Sequence, residues 1–133
     1  MNPDVKSPAP SLRLREITGA DGQGVITSWL ARHGEAKARF RVRIGNLSKV
    51  PRTDWNKKQF HKLKDAHGVA EIKWEAGNKQ FRTLGFDIDG YFVMLIGCTH
   101  KDDNYDPSNC INTAIKLKQE TERRKHRIIE FNP

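Results

Sequence analysis

The segment from Gly68 to Lys101, GVAEIKWEAGNKQFRTLGFDIDGYFVMLIGCTHK, constrains the chain more than any other. Three β-prone runs are separated by Gly77-Asn78 and by a turn ending at Asp89-Gly90. Such dipeptides supply the positive φ that tight hairpin turns need. The pattern predicts an antiparallel meander over 69–76, 79–86 and 91–99. The last run, Tyr91–Thr99, is continuously apolar, so it is expected to be central and covered on both faces.

A two-residue loop at Gly77-Asn78 sets the register. Ala76 then faces Lys79, Trp74 faces Phe81, and Lys73 faces Arg82. Side chains alternate, so Ala70, Ile72, Trp74 and Phe81 share a core face. The opposite face carries Glu71, Lys73, Glu75, Gln80 and Arg82. Two cations placed directly opposite each other repel. This face reads in two ways. It is a solvated, open sheet face with Glu71 and Glu75 interleaved, or a cationic platform for an anion, phosphate foremost.

The length of 133 residues suits one domain with a modest core. Charged residues make up 30% and the net charge is +8, which draws such a chain to nucleic acid, anionic membrane or an acidic protein. No apolar run approaches the roughly 18 residues of a membrane span, and the N-terminus lacks a secretory apolar core, so a cytoplasmic protein is expected. Cys98 and Cys110 lack paired spacing and fit a reducing compartment. A zinc site from Cys98, His100 and Cys110 is set aside for the same reason.

Residues 1–11 are rich in Pro, Ser and small side chains and are expected to be a mobile arm. Residues 12–133 form the domain. Leu12–Ile17 alternates and predicts a half-buried edge strand. Gly19, Gly22 and Gly24 fit no phosphate-loop spacing and read as a plain loop. Val25, Ile26, Trp29 and Leu30 give one helical stripe. Phe40, Ile44 and Leu47 give a second, over about 35–49, whose outer row Lys37, Arg39, Arg41 and Arg43 is either a solvated face or suited to an acidic partner. Asp54 caps an expected short helix through Trp55, Gln59, Phe60 and Leu63. Residues 101–109 read as a polar loop. Pro107 and Ser108 start a helix reaching about Arg127. The closing Ile128-Ile129-Glu130-Phe131 either folds back or contacts a partner.

Over roughly residues 60–118 the chain reads Leu63-Lys64, Glu71-Ile72-Lys73, Phe81-Arg82-Thr83-Leu84-Gly85-Phe86, Leu95–Lys101, Pro107 and Ala114. In these motifs and in its order of elements it resembles the RelE/ParE toxin superfamily, in particular its phage-derived Gp49-like, HigB-type branch. Departures are Cys98 in place of the usual Phe, and His100 in place of the first lysine of a basic pair. The loop Asp102–Asp106 is also less basic than usual. The implied fold is α+β and RelE-like: an N-terminal strand and helical hairpin packed on a small antiparallel sheet, with a C-terminal helix.

The resemblance implies the toxin of a type II toxin–antitoxin system, with a helix-turn-helix antitoxin, mRNA and the ribosome as partners, and no metal, cofactor or membrane. Many such proteins cut mRNA by attack of a ribose 2′-hydroxyl on the adjacent phosphate. That reaction needs a base, charge stabilisation and an acid. Arg82 is the matched phosphate-stabilising residue, and Lys73 adds charge. His100 is the acid or base and Lys101 its helper. Lys79, Gln80 and Tyr105 contact substrate. Each has a structural alternative. Arg82 pairs with Glu71 or Glu75, His100 is a loop residue, and Tyr105 is plain surface. Glu71 is a general base or an ion-pair partner. The competing function is a non-catalytic protein of this fold that binds DNA gyrase, or a prophage binding module without activity.

Overall fold

The computed structural model describes residues 12–133. The expected N-terminal arm lies outside them. Strand β1 (Leu14–Ile17) leads into helices α1 (Val25–Ala31) and α2 (Gly34–Ser48), and a 3-10 turn follows at Arg52–Asp54. Then come β2 (Phe60–Lys62), β3 (Ala70–Ala76), β4 (Lys79–Ile88), β5 (Tyr91–Lys101), β6 (Asn104–Asp106), α3 (Cys110–Glu122) and β7 (Ile128–Glu130). The class is α+β. All seven strands of the described residues join one sheet in the order β2-β3-β4-β5-β1-β7, and β6 pairs with the end of β5.

The meander forms in the expected register: Lys73 opposite Arg82, Trp74 opposite Phe81, Ala76 opposite Lys79. Between β4 and β5 the pairing slips, from Leu84 opposite Ile96 to Gly85 opposite Met94. Leu95 is therefore an extra residue on β5, and this bulge shifts the phase of the strand. Phe92 and Met94 join the cluster under α1 and α2, whereas Val93, Leu95 and Cys98 join the cluster under α3. Both faces of β5 are covered, as its unbroken apolar run requires. Beyond the bulge Gly97 lies under Trp29. A Cβ there would sit 2.2 Å from the indole, so only glycine admits the ring.

Helix α1 is capped from a distance. The buried Glu16 carboxylate on β1 accepts hydrogen bonds from the Ile26 and Thr27 amides at 2.8 and 2.9 Å. A carboxylate suits the exposed amides and positive end of a helix N-terminus. Gly24 makes the approach possible, since a Cβ there would meet that carboxylate at 2.2 Å.

Several expectations are corrected. The sheet is larger than a small antiparallel meander and is mixed, because β1 runs parallel to β5. β1 is not an edge strand: it lies between β5 and β7. The segment 55–63 is not helical. Phe60 pairs with Ile72, the Lys73 amide donates to the Gln59 carbonyl, and the Trp55 indole donates to Leu47 at 2.9 Å. Pairing along β3 satisfies more backbone than a single isolated turn. Residues 104–106 are not loop but a strand, turned back on β5 at Asp102 and Asp103, both at positive φ. Helix α3 ends at Glu122 rather than near Arg127, with Arg124 at positive φ. That reversal lets Ile128–Glu130 fold back and pair with β1.

Candidate functional site

Alternation along four strands gathers the polar residues. Glu71 and Lys73 on β3, Gln80 and Arg82 on β4, Cys98 and His100 on β5, and Tyr105 on β6 occupy the face opposite Trp74. Gln80, His100 and Tyr105 lie in one row across the sheet, and Lys73, Arg82 and Cys98 in the next. Helix α3 begins at Cys110 and packs its Cys110 and Ala114 with Cys98 and Leu84. Its cover is apolar; the polar rows lie beside its start.

Glu71 is the hub. Its carboxylate is buried at 3% exposure. Tyr105 Oη donates to Oε2 at 2.5 Å, reaching across β5 and β4 to do so. Lys73 Nζ stands 3.6 Å from Oε1, His61 Nδ1 3.9 Å from Oε1, and Arg82 Nε 3.9 Å from Oε2. The cross-strand repulsion between Lys73 and Arg82 is thus answered by a carboxylate between them.

The expectation of an open platform is corrected here. Arg82 is only 7% exposed. Its guanidinium donates to its neighbour's carbonyl, Phe81 O, at 2.9 Å and to Gln80 Oε1 at 2.7 Å, while Nε has no hydrogen-bond partner among the described residues. The reason is non-local: β6 carries Tyr105 over the rows from the far side of β5. Arg82 does lie on the face away from α1 and α2, as the register demands.

Two clefts meet at Gln80. The first, about 520 Å³, is lined by Lys73, Arg82 and Gln80 from the sheet, Arg39 and Arg43 from α2, and Lys58 before β2, with Glu75 its one carboxylate among the described residues. Five cations face one acid there. Arg43 Nε also donates to the Lys73 carbonyl at 2.7 Å, tying α2 to this strand. Burial lowers the Arg43 pKa and Glu75 opposes that. The second cleft, about 710 Å³, is lined by His100, Tyr105, Gln80, Lys79 and Lys101 together with Asp102 and Asp106. Its charge is mixed.

Two titrations shape the second cleft. Burial lowers the His100 pKa, and the Arg82 cation lowers it further, so the imidazole is neutral near pH 7. Its ring meets Tyr105 edge-on, with centroids 4.8 Å apart. Burial pushes the Tyr105 phenol up, and its hydrogen bond to Glu71 does the same. Tyr105 therefore stays protonated and donating. Nearby, Cys98 and Cys110 are free and buried, and the Cys98 thiol is pushed up by its hydrogen bond to Cys110 and by burial.

Of the expected site residues, Arg82, Lys73 and Gln80 come together at the first cleft, and His100 and Tyr105 adjoin them through Gln80. Lys79 and Lys101 line only the second cleft and are exposed. Alternation sets them on the phase opposite Gln80 and His100. Tyr105 is not plain surface, and Glu71 is an ion-pair partner too buried to meet a substrate hydroxyl. Lys58 and His61 were not anticipated as site residues, and Arg39 and Arg43 only as part of the basic row of α2, read as a solvated face or as suited to an acidic partner. Arg39 and Arg43 stand four apart on α2, so one face of that helix carried the signal. Nothing local marked Lys58 or His61. Compared with models of protein families, with curated proteins and with solved structures, the chain matches none.

Proposed function

We propose that this chain is an RNA-binding toxin of the RelE-like, HigB-type kind, acting in the cytoplasm as a ribosome-dependent mRNA endoribonuclease and held in check by a helix-turn-helix antitoxin. The observation that carries the reading is the first cleft, where Lys73 and Arg82 meet Arg39, Arg43 and Lys58 around one space. A phosphodiester fits such a cation set, and guanidinium groups can grip two of its oxygens at once.

The chemistry follows from the neighbouring cleft. A neutral His100 takes the proton of a ribose 2′-hydroxyl. The freed oxygen attacks the adjacent phosphorus, and the bond to the 5′-oxygen breaks. The products are a 2′,3′-cyclic phosphate and a 5′-hydroxyl, the leaving oxygen taking its proton from water. Lys73 and Arg82 stabilise the charge that grows on the phosphorane. Gln80, shared by both clefts and bonded to Arg82, couples the two parts.

The burial of Arg82 beside Glu71 favours a second reading, a non-catalytic binding module that meets DNA gyrase or another partner through the same cations. One experiment separates them. The protein is induced, RNA 5′ ends are mapped with and without a candidate antitoxin, and gyrase supercoiling is assayed in parallel. New 5′ ends in translated mRNA support the nuclease. Growth arrest with intact RNA and inhibited gyrase sinks it.

A further inference from the structure

We propose that Glu71 is an internal counter-anion: it holds two cations of the first cleft, Lys73 and Arg82, while that cleft is empty and yields Lys73 to an incoming phosphate. This rests on reading the cleft as an anion site. Glu71 is 3% exposed, so it does not itself meet RNA. Its firm hydrogen bond, at 2.5 Å, is to Tyr105. The cations are held at longer range, Lys73 at 3.6 Å and Arg82 Nε at 3.9 Å, beyond ordinary hydrogen-bond length. Arg82 Nε keeps a buried proton with no acceptor among the described residues. Lys73 also lines the cleft. Tyr105 thus anchors the carboxylate, and Lys73 is left able to change partners. A phosphate in the cleft and the Glu71 carboxylate compete for the same charge. Glu71 is a positioning residue in this scheme, and it tunes affinity against turnover.

The sign of the effect makes the proposal testable. A purely structural Glu71 would weaken binding when replaced. A counter-anion strengthens it. The probe is a 2′-O-methyl oligoribonucleotide, which has phosphates but no attacking hydroxyl, titrated into the whole chain by fluorescence anisotropy. Glu71→Gln keeps an acceptor for Tyr105 and removes the charge. Its Kd is expected to fall about fivefold, the order set by one unit charge a few ångströms from a partly solvated cation. The salt slope should steepen by about one phosphate. In a Lys73→Met background the gain should vanish. A Kd for Glu71→Gln that is unchanged or higher overturns the proposal, as does a gain that survives without Lys73. Should Glu71→Gln not fold, wild type decides: the Glu71 side-chain carboxyl ¹³C resonance must move as the oligonucleotide binds, and a resonance that stays put overturns the proposal. Wild type that binds no oligonucleotide overturns both this role and the anion reading. Wild type that binds while Glu71→Gln gains nothing overturns this role alone.

Discussion

The two faces of the sheet are built from alternate residues of the same strands, yet they are held together differently. Under α1 and α2 the face is aromatic and buried. Trp74 stacks on Phe81 at 5.8 Å and meets Phe40 at 4.5 Å, and Trp29 packs edge-on to both Trp74 and Phe81. Polar anchors there reach backbone carbonyls, the Trp74 indole donating to Ala36 at 3.0 Å and Arg43 Nε to Lys73 at 2.7 Å. The α3 side starts apolar at Leu84, Phe86 and Val93 and ends in Glu71, Arg82, His100 and Tyr105. Apolar packing scales with area and tolerates neighbours. A buried polar cluster depends on each partner, because deleting one strands the others. The aromatic face should therefore answer to stability measurements, and the polar face to chemistry and charge.

The largest expected effect is on the aromatic side. Trp74→Ala should cost about 3–5 kcal/mol, the usual range for emptying a large buried aromatic site. Urea unfolding measures it. A loss no larger than that of an exposed substitution would break the contrast between the faces.

Next comes Arg82→Ala. Loss of a preorganised donor should slow RNA cleavage by ~3–4 kcal/mol in barrier. Because Arg82 is buried among Gln80 and Glu71, the same change should also destabilise the fold by about 1–3 kcal/mol. Arg82→Lys keeps the charge and should recover more stability than activity. Cleavage assays beside thermal melts separate the two losses, and a variant that is fully active would remove Arg82 from the site.

His100→Ala should be milder in stability and cost roughly 10²-fold in rate. Its pH dependence sharpens the assignment. The folded pKa lies below the ordinary histidine value because of burial and Arg82. A base must be neutral, so wild-type cleavage should stay level from neutral pH downward and drop only once the pH passes below the ordinary histidine range. Stability follows the same sign. The unfolded chain takes up the proton first, so stability falls as pH drops through the unfolded value. Replacing His100 should flatten both profiles. A rate that rises on acidification would mark His100 as an acid instead.

The smallest effect belongs to Lys58→Ala. Lys58 is exposed at the cleft edge, so the fold should not change measurably. Binding of an oligonucleotide should weaken modestly at low salt, and the slope of affinity against salt should fall by about one contact. An unchanged slope would place the phosphates elsewhere.

Local chemistry determined the meander. Gly77-Asn78 admits a two-residue loop, and the loop length settles which of Lys73, Trp74, Phe81 and Arg82 face each other and on which side. The helical stripes of α1 and α2 and the double cover of β5 were legible for the same reason, since periodicity records burial residue by residue. The basic charge was legible as a sum. What only the tertiary structure decided is how exposed the cations are and which of them meet. Arg82 is buried because β6 brings Tyr105 back across β5, and the run that does so reads locally as a polar loop. Lys58, Arg39 and Arg43 join Lys73 because β2 and α2 come alongside β3 from distant parts of the chain. β7 takes the sheet edge from β1 after a reversal at Arg124. Turn and strand preferences act over a few neighbours. Burial of a charge depends on what distant segments place over it, and no local pattern carries that information.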